Sequence, residues 1–254
     1  MSETQHRRRR FVMAALGCGA SGAPSAWAVP PAAPPASVLA GGEWPDERLP
    51  SGRRYRLVLP QGLDPAKPLQ LVLALHGMGK DSKDLMPRYS GFNASAHRHE
   101  LAVAYAQAQP GGWGQRGRDL QADLAYLDEL LEALKARLPV DGRRVHLMGF
   151  SSGARLALQA AAARPGRYAS LVCHSTLLPA PAAARMPPQL WVHGEKDRLV
   201  PLARIRTAVA AAVKARQRAE LLAVPELGHQ WARQADINTR IWTFMALQTL
   251  GTLS

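Results

Sequence analysis

An α/β domain with a mostly parallel central sheet and helices on both faces is the fold class that the sequence predicts. Three observations lead there. Short apolar runs recur along the chain at the length of buried strands, with glycine- and proline-rich turns between them. A strongly periodic amphipathic stretch separates two of these runs, as a crossover helix would. Near the centre, Val145-His146-Leu147-Met148 leads into Gly149-Phe150-Ser151-Ser152-Gly153 and then an alanine- and leucine-rich helical stretch. Strand, Gly-x-Ser-x-Gly, helix is the context in which a serine is held on a tight turn.

The N-terminus is expected to be an export signal over residues 1–28. Arg7-Arg8-Arg9-Arg10 precedes the short apolar stretch 11–16, and Ala26-Trp27-Ala28 fits a small-residue cleavage site. Arg8-Arg9-Arg10-Phe11-Val12 resembles a twin-arginine signal, which predicts a periplasmic or secreted protein. Leu16-Gly17-Cys18 partly fits a lipid-attachment box and is the weaker alternative. Residues 29–48 read as a Pro/Ala-rich linker, and residues 49–254 as the catalytic domain. Without the leader only Cys173 remains, in an apolar setting that suits a buried thiol rather than a nucleophile.

The alternating residues 55–59 predict an early antiparallel strand ending at Pro60. Residues 69–75 are continuously apolar apart from Gln70, as in a strand covered on both faces, and end in His76-Gly77-Met78-Gly79. Residues 101–106 form another strand, followed by Gln109-Pro110-Gly111-Gly112-Trp113-Gly114. Trp113 is a candidate pocket wall, or else an anchor for its own loop. Residues 119–138 predict a helix, because Leu120, Leu124, Leu127, Leu131, Leu134 and Leu138 recur at steps of three and four. That stripe is core. Further strands are expected at 171–174, 190–193 and 221–224, with helices over 203–218 and around 241–245. The Pro/Ala-rich residues 175–188 are too few for a large lid, so an open cleft with a minimal lid is expected.

The chemistry follows from Ser151. A serine hydroxyl is a weak nucleophile at neutral pH and needs a base, which in turn needs a carboxylate to fix its tautomer. Where the nucleophile sits on such a turn, the acid and the histidine come later, in that order, on loops after strands. Asp197 and His229 satisfy this. Glu195 and Glu226 are rivals to Asp197, and Ser152 is a rival out of register with the motif. His76 and His193, directly at strand ends beside glycine, read as loop-shaping residues. His97, His99, His146 and His174 fall in the wrong chain order for the base. The backbone N–H groups of Met78 and Ser152 are the candidate oxyanion donors. Trp113 and Trp231 are the candidate substrate-pocket residues.

The net charge of +13 is carried mostly by arginine, since lysine supplies only six of the 32 basic residues. Outside the leader the arginines are scattered, with no aromatic-interleaved basic stripe, which argues against nucleic-acid binding. No run of 18 apolar residues predicts a membrane span. No Cys/His cluster has metal-ligand spacing, so neither metal nor organic cofactor is expected. The expected partner is a small-molecule or oligomeric ester; the sequence leaves the oligomeric state open.

Leu75-His76-Gly77, Gly112-Trp113, Pro139-Val140-Asp141 with Arg144-Val145, the Gly149 to Gly153 turn, His193-Gly194 with Asp197 and Val200-Pro201, and Gly228-His229 with Trp231 carry a resemblance. Over about residues 50 to 250 the chain resembles the polyhydroxybutyrate-depolymerase and feruloyl-esterase-like group of the α/β-hydrolase superfamily. It is also similar to the phospholipase/carboxylesterase group. The resemblance implies the α/β-hydrolase fold, a serine esterase, and Ser151, Asp197 and His229 as nucleophile, orienting acid and base. It departs from the pattern at Ser152, Ala154 and Met78, and it lacks the paired cysteines of secreted relatives. Two other readings keep the fold: a serine peptidase, and a non-catalytic binding protein on a hydrolase scaffold.

Overall fold

A computed structural model describes residues 41–78, 82–114, 117–176 and 185–251. The export signal, Cys18, most of the linker and residues 177–184 of the expected lid segment therefore lie outside the described residues.

The apolar runs become strands because each has two faces to bury. β3 (Leu69–Leu75) and β4 (Leu101–Ala106) are buried along their whole length. So are β6 (Ser170–His174) and β7 (Gln189–Gly194). With β5 (Val140–Phe150) and β8 (Ala219–Val224) they make six parallel strands. β2 (Arg54–Leu59) pairs antiparallel with β4 and carries β1 (Gly42–Arg48) on its outer side. The order across the eight-stranded sheet is β1-β2-β4-β3-β5-β6-β7-β8.

Side chains alternate between two cores. Leu71, Leu73 and Leu75 point to one face, where they meet α3 (Gly117–Arg137), α4 (Ser152–Ala163) and α5 (Leu202–Lys214). Val72 and Ala74 point to the other, toward α1 (Ser82–Ser90), α2 (Asn93–Arg98) and α6 (Ala235–Ala246). The leucine stripe of α3 is core, with Leu124, Leu127, Leu131, Leu134 and Leu138 all buried.

Two elements differ from the sequence expectation, and a third stretch carried none. The linker does not extend to residue 48: β1 takes its last seven residues. Pro45 and the charges of Gly-Glu-Trp-Pro-Asp-Glu-Arg hide this strand, which is tolerated because it is an edge with a bulge between Trp44 and Glu47. Only its inward Trp44 packs on the core, while Glu47 accepts from Arg137 Nη1 at 2.7 Å. α5 stops at Lys214 rather than 218. Arg216 turns left-handed at φ 59°, and the Gln217 N–H donates back to the Ala212 carbonyl, closing the helix. The 82–98 segment folds into α1 and α2 despite its polarity and Pro87.

Chain order reverses beside β3: from β3 the chain runs out to β4, then returns to lay β5 on the other side of β3. Crevices at such reversals, at the carboxyl ends of parallel strands, are where open α/β sheets bind ligands.

Candidate active site

The residues singled out from the sequence converge at that carboxyl edge. Leu75 at the end of β3 lies beside Gly149 near the end of β5, so the 76–78 loop and Ser151 are neighbours. Ser151 sits between β5 and α4 at φ 54°, ψ −116°, a conformation L-residues rarely adopt. Its N–H donates to the His174 carbonyl at 2.9 Å, which ties the strained turn to β6.

The glycines of the motif are required by contact. A Cβ on Gly149 would lie 2.5 Å from Ala154 N, and one on Gly153 only 2.2 Å from the Leu75 carbonyl oxygen. Gly153 thereby lets α4 press its N-terminus against the end of β3. Gly77 runs over Ser151, its virtual Cβ 3.4 Å from Ser151 Cβ.

Asp197 and His229 meet Ser151 in a linear relay. His229 Nδ1 is 2.8 Å from Asp197 Oδ2, and its Nε2 is 2.9 Å from Ser151 Oγ. A carboxylate only accepts, so Nδ1 carries the proton and Nε2 is free to accept the Ser151 O–H. Asp197 is buried, and its second oxygen accepts the Leu199 and Val200 N–H groups at 2.9 Å each. Glu226 instead pairs with Lys196 at the surface, and Glu195 is exposed.

Backbone contacts join the Asp197 and His229 loops. A Cβ on Gly194 would fall 2.2 Å from the Leu227 carbonyl, and the Lys196 N–H donates to that same oxygen at 2.9 Å.

Three buried histidines, His76, His174 and His193, lie beside the site as neutral rings, and a fourth, His146, lies further back in β5 against Ser170. His76 Nε2 accepts the Ala108 N–H, so Nδ1–H donates to the Gly77 carbonyl; burial drives its pKa down to about 4. His174 accepts the Ala232 N–H on Nε2 and stacks on Trp231 at 4.4 Å, and burial lowers it to about 3. His146 is lowered to about 3, again mainly by burial. His193 donates Nε2–H to the Val200 carbonyl at 2.7 Å and lies 3.4 Å from Asp197 Oδ2; desolvation lowers its pKa.

A cleft of about 710 Å³ opens beside His229. Leu227 and the rings of Tyr89, Phe150 and Trp231 line it, with Gln230, Arg233 and Gln234 exposed at its rim. Trp231 lines this cleft, whereas Trp113 does not. Trp113 is buried, donates Nε1–H to the His76 carbonyl at 2.8 Å, and borders a separate cleft of about 580 Å³ with Arg53 and Asp123. Its indole needs a buried acceptor, and the carbonyl at the start of the 76–78 loop supplies one, so it anchors that loop. Met78 projects its side chain into solvent, leaving its backbone as the part available to a reacting group, while Ser152 is buried at the start of α4.

The sequence reading missed Tyr89, Phe150 and Arg233 as lining residues. Phe150 was legible as the residue before the nucleophile. Tyr89 comes from α1, far away in sequence, and left no signal. Among the described residues no group of His, Cys, Asp and Glu is arranged to hold a metal ion, and no helix is long and apolar enough to cross a membrane.

Comparison with known proteins finds likenesses in sequence and in fold. The model of the phospholipase/carboxylesterase family matches residues 114–238. NocK of Nocardia uniformis subsp. tsuyamanensis, a candidate esterase, is 33% identical over 171 residues, covering 62% of this chain and 49% of that protein. Feruloyl esterase C of Emericella nidulans is 28% identical over 159 residues, covering 60% of this chain and 57% of that protein. The chain therefore spans about half the length of these curated relatives. Among solved structures, S-formylglutathione hydrolase (FrmB) of Staphylococcus aureus superposes with a TM-score of 0.66 at 16% identity, over 80% of this chain and 97% of that one. Esterase 2 of Thermogutta terrifontis, phosphorylated by paraoxon, gives 0.61 at 18% identity, over 79% and 89%. With its sheet order, its serine on a strained strand-to-helix turn, and these likenesses, the chain has the α/β-hydrolase fold and is similar in sequence to phospholipases, carboxylesterases and other esterases.

Proposed function

We propose that this protein is an exported serine hydrolase that cleaves carboxylic esters through an acyl-enzyme. The observation that carries the proposal is the contact of His229 with both Ser151 Oγ and Asp197, at 2.9 and 2.8 Å. His229 Nε2 takes the hydroxyl proton as Ser151 Oγ attacks the ester carbonyl. Negative charge moves to the carbonyl oxygen, within reach of the Met78 and Ser152 N–H groups. Loss of one such donor typically costs about 10²–10³ in kcat. Collapse of the tetrahedral adduct breaks the bond to the alcohol oxygen, which leaves with the proton from His229. Water then repeats the sequence on the acyl-serine, releasing the acid and restoring Ser151. Asp197 stays ionised and stabilises the imidazolium in both halves.

The test is a panel of acyl esters from short to long chain, with feruloyl and hydroxybutyrate oligomers, run beside Ser151→Ala. The variant is expected to lose at least about 10⁴-fold in kcat. Unchanged turnover would sink the assignment, and peptides cleaved faster than esters would redirect it to a peptidase. Export rests on the arginine-rich leader and its Ala-Trp-Ala site; cell fractionation with Arg8 and Arg9 both changed to Lys tests it.

A further inference from the structure

The cleft beside His229 combines three rings with one arginine. Tyr89, Phe150 and Trp231 stand with centroids 5.6 to 6.3 Å apart. The trio is held open from behind: Trp231 stacks on His174 and donates Nε1–H to Asn238 Oδ1 at 3.3 Å. Such a set of rings suits either a flat apolar body or an organic cation.

Charge decides between them. Arg233 is at the rim, and its Nε–H donates to the Tyr89 carbonyl at 3.2 Å. That bond uses Nε and leaves the terminal amino groups for another acceptor. Among the described residues no carboxylate closes an ion pair with Arg233. Beyond the leader, residues 29–254 carry 28 Lys and Arg against 18 Asp and Glu, a net +10 that adds a positive background field. A cation among the rings would face this arginine, whereas an anion would meet a guanidinium already held in place.

We infer that the cleft takes esters with a flat, apolar body, such as an arene, bearing a carboxylate or sulfonate that Arg233 binds. This rests on the hydrolase reading above. The anionic group belongs to either the acyl or the alcohol part of the ester, and two substrate series separate these sources. Each series holds one aryl ester body constant and varies a remote substituent: carboxylate, neutral carboxamide or trimethylammonium. One series places it on the acyl side, the other on the alcohol side. Wild type, Arg233→Gln and Arg233→Lys are compared at low and high ionic strength.

In one series the carboxylate ester is expected to exceed its neutral counterpart in kcat/KM by about tenfold, the scale of a hydrogen bond to a charged group. That ratio falls to near unity in Arg233→Gln, is partly kept in Arg233→Lys, and shrinks as salt screens the arginine. Equal or better turnover of the neutral or cationic esters overturns the inference while leaving the hydrolase reading intact. A preference that survives Arg233→Gln overturns it too. If no ester is hydrolysed, the hydrolase reading fails and the inference fails with it.

Discussion

His193 shows how a residue can shape the site without touching substrate. It is buried, and its one donated proton goes to the Val200 carbonyl while its Nε2 also lies 3.4 Å from the oxygen that Asp197 offers His229. The 197–200 turn is thereby closed from both ends, because Asp197 accepts from the Leu199 and Val200 N–H groups. Removing the ring frees that turn and lets the carboxylate drift. Small displacements of a reacting array cost up to about 10²-fold. His193→Gln is therefore expected to lower kcat about 10- to 100-fold with little change in KM, and His193→Asn to do the same. A loss confined to stability, with kcat per folded molecule unchanged, would show His193 to be only a core residue. Steady-state kinetics with the folded fraction measured in parallel makes the distinction.

At the scale of elements, the strand–turn–helix around Ser151 was the most legible part of the chain, because its glycines answer to local contacts. Gly153→Ala puts a methyl about where the Leu75 and His76 carbonyl oxygens lie, 2.2 and 2.3 Å away. Backbone cannot yield there as a flexible side chain would, so a loss of about 3 kcal/mol or failure to fold is expected. Gly142→Ala, with nothing within 4 Å, is expected to stay within about 0.5 kcal/mol of wild type in a thermal melt. The same logic explains what the sequence concealed. β3 and β4 announce themselves because both faces are apolar, whereas β1 buries little beyond Trp44 and owes its place to hydrogen bonds with β2. Asp197 and His229 were readable from their order after Ser151, since strand sequence fixes loop sequence along one sheet edge. Tyr89 and Arg233 were not, because they reach the cleft through tertiary packing of α1 and of the loop before α6. Trp113 stayed open between two readings for a related reason: a tryptophan in a glycine loop looks alike whether its N–H faces a ligand or a buried carbonyl, and here it faces the His76 carbonyl.

For the molecule as a whole, the buried histidines set the response to acid. His76, His146 and His174 have native pKa values lowered to about 4, 3 and 3 by burial, against about 6.5 in an unfolded chain. Above pH 6.5 both states are neutral and nothing is lost. Below it the unfolded chain takes up protons that the native one refuses, so stability falls by up to about 1.4 kcal/mol per pH unit for each histidine. The urea midpoint is expected to drop steadily between pH 6.5 and about 4.5, and His146→Gln to make that slope shallower whatever it does to the midpoint at pH 7. A midpoint flat through this window would mean that these rings are protonated in the native state.

The contact between the Asp197 and His229 loops has a bearing on how the protein comes apart. Glu195 N–H donates to the Val224 carbonyl and Lys196 N–H to that of Leu227, while Gly194 lies flush against the same peptide. Lifting either loop breaks these contacts with the other. Asp197 and His229 therefore belong to one cooperative opening unit, and their flanking amides, 195–196 and 199–200, should exchange with solvent deuterium at a common free energy. Partial unfolding of this edge is then expected to part Asp197 and His229 from Ser151 in a single step.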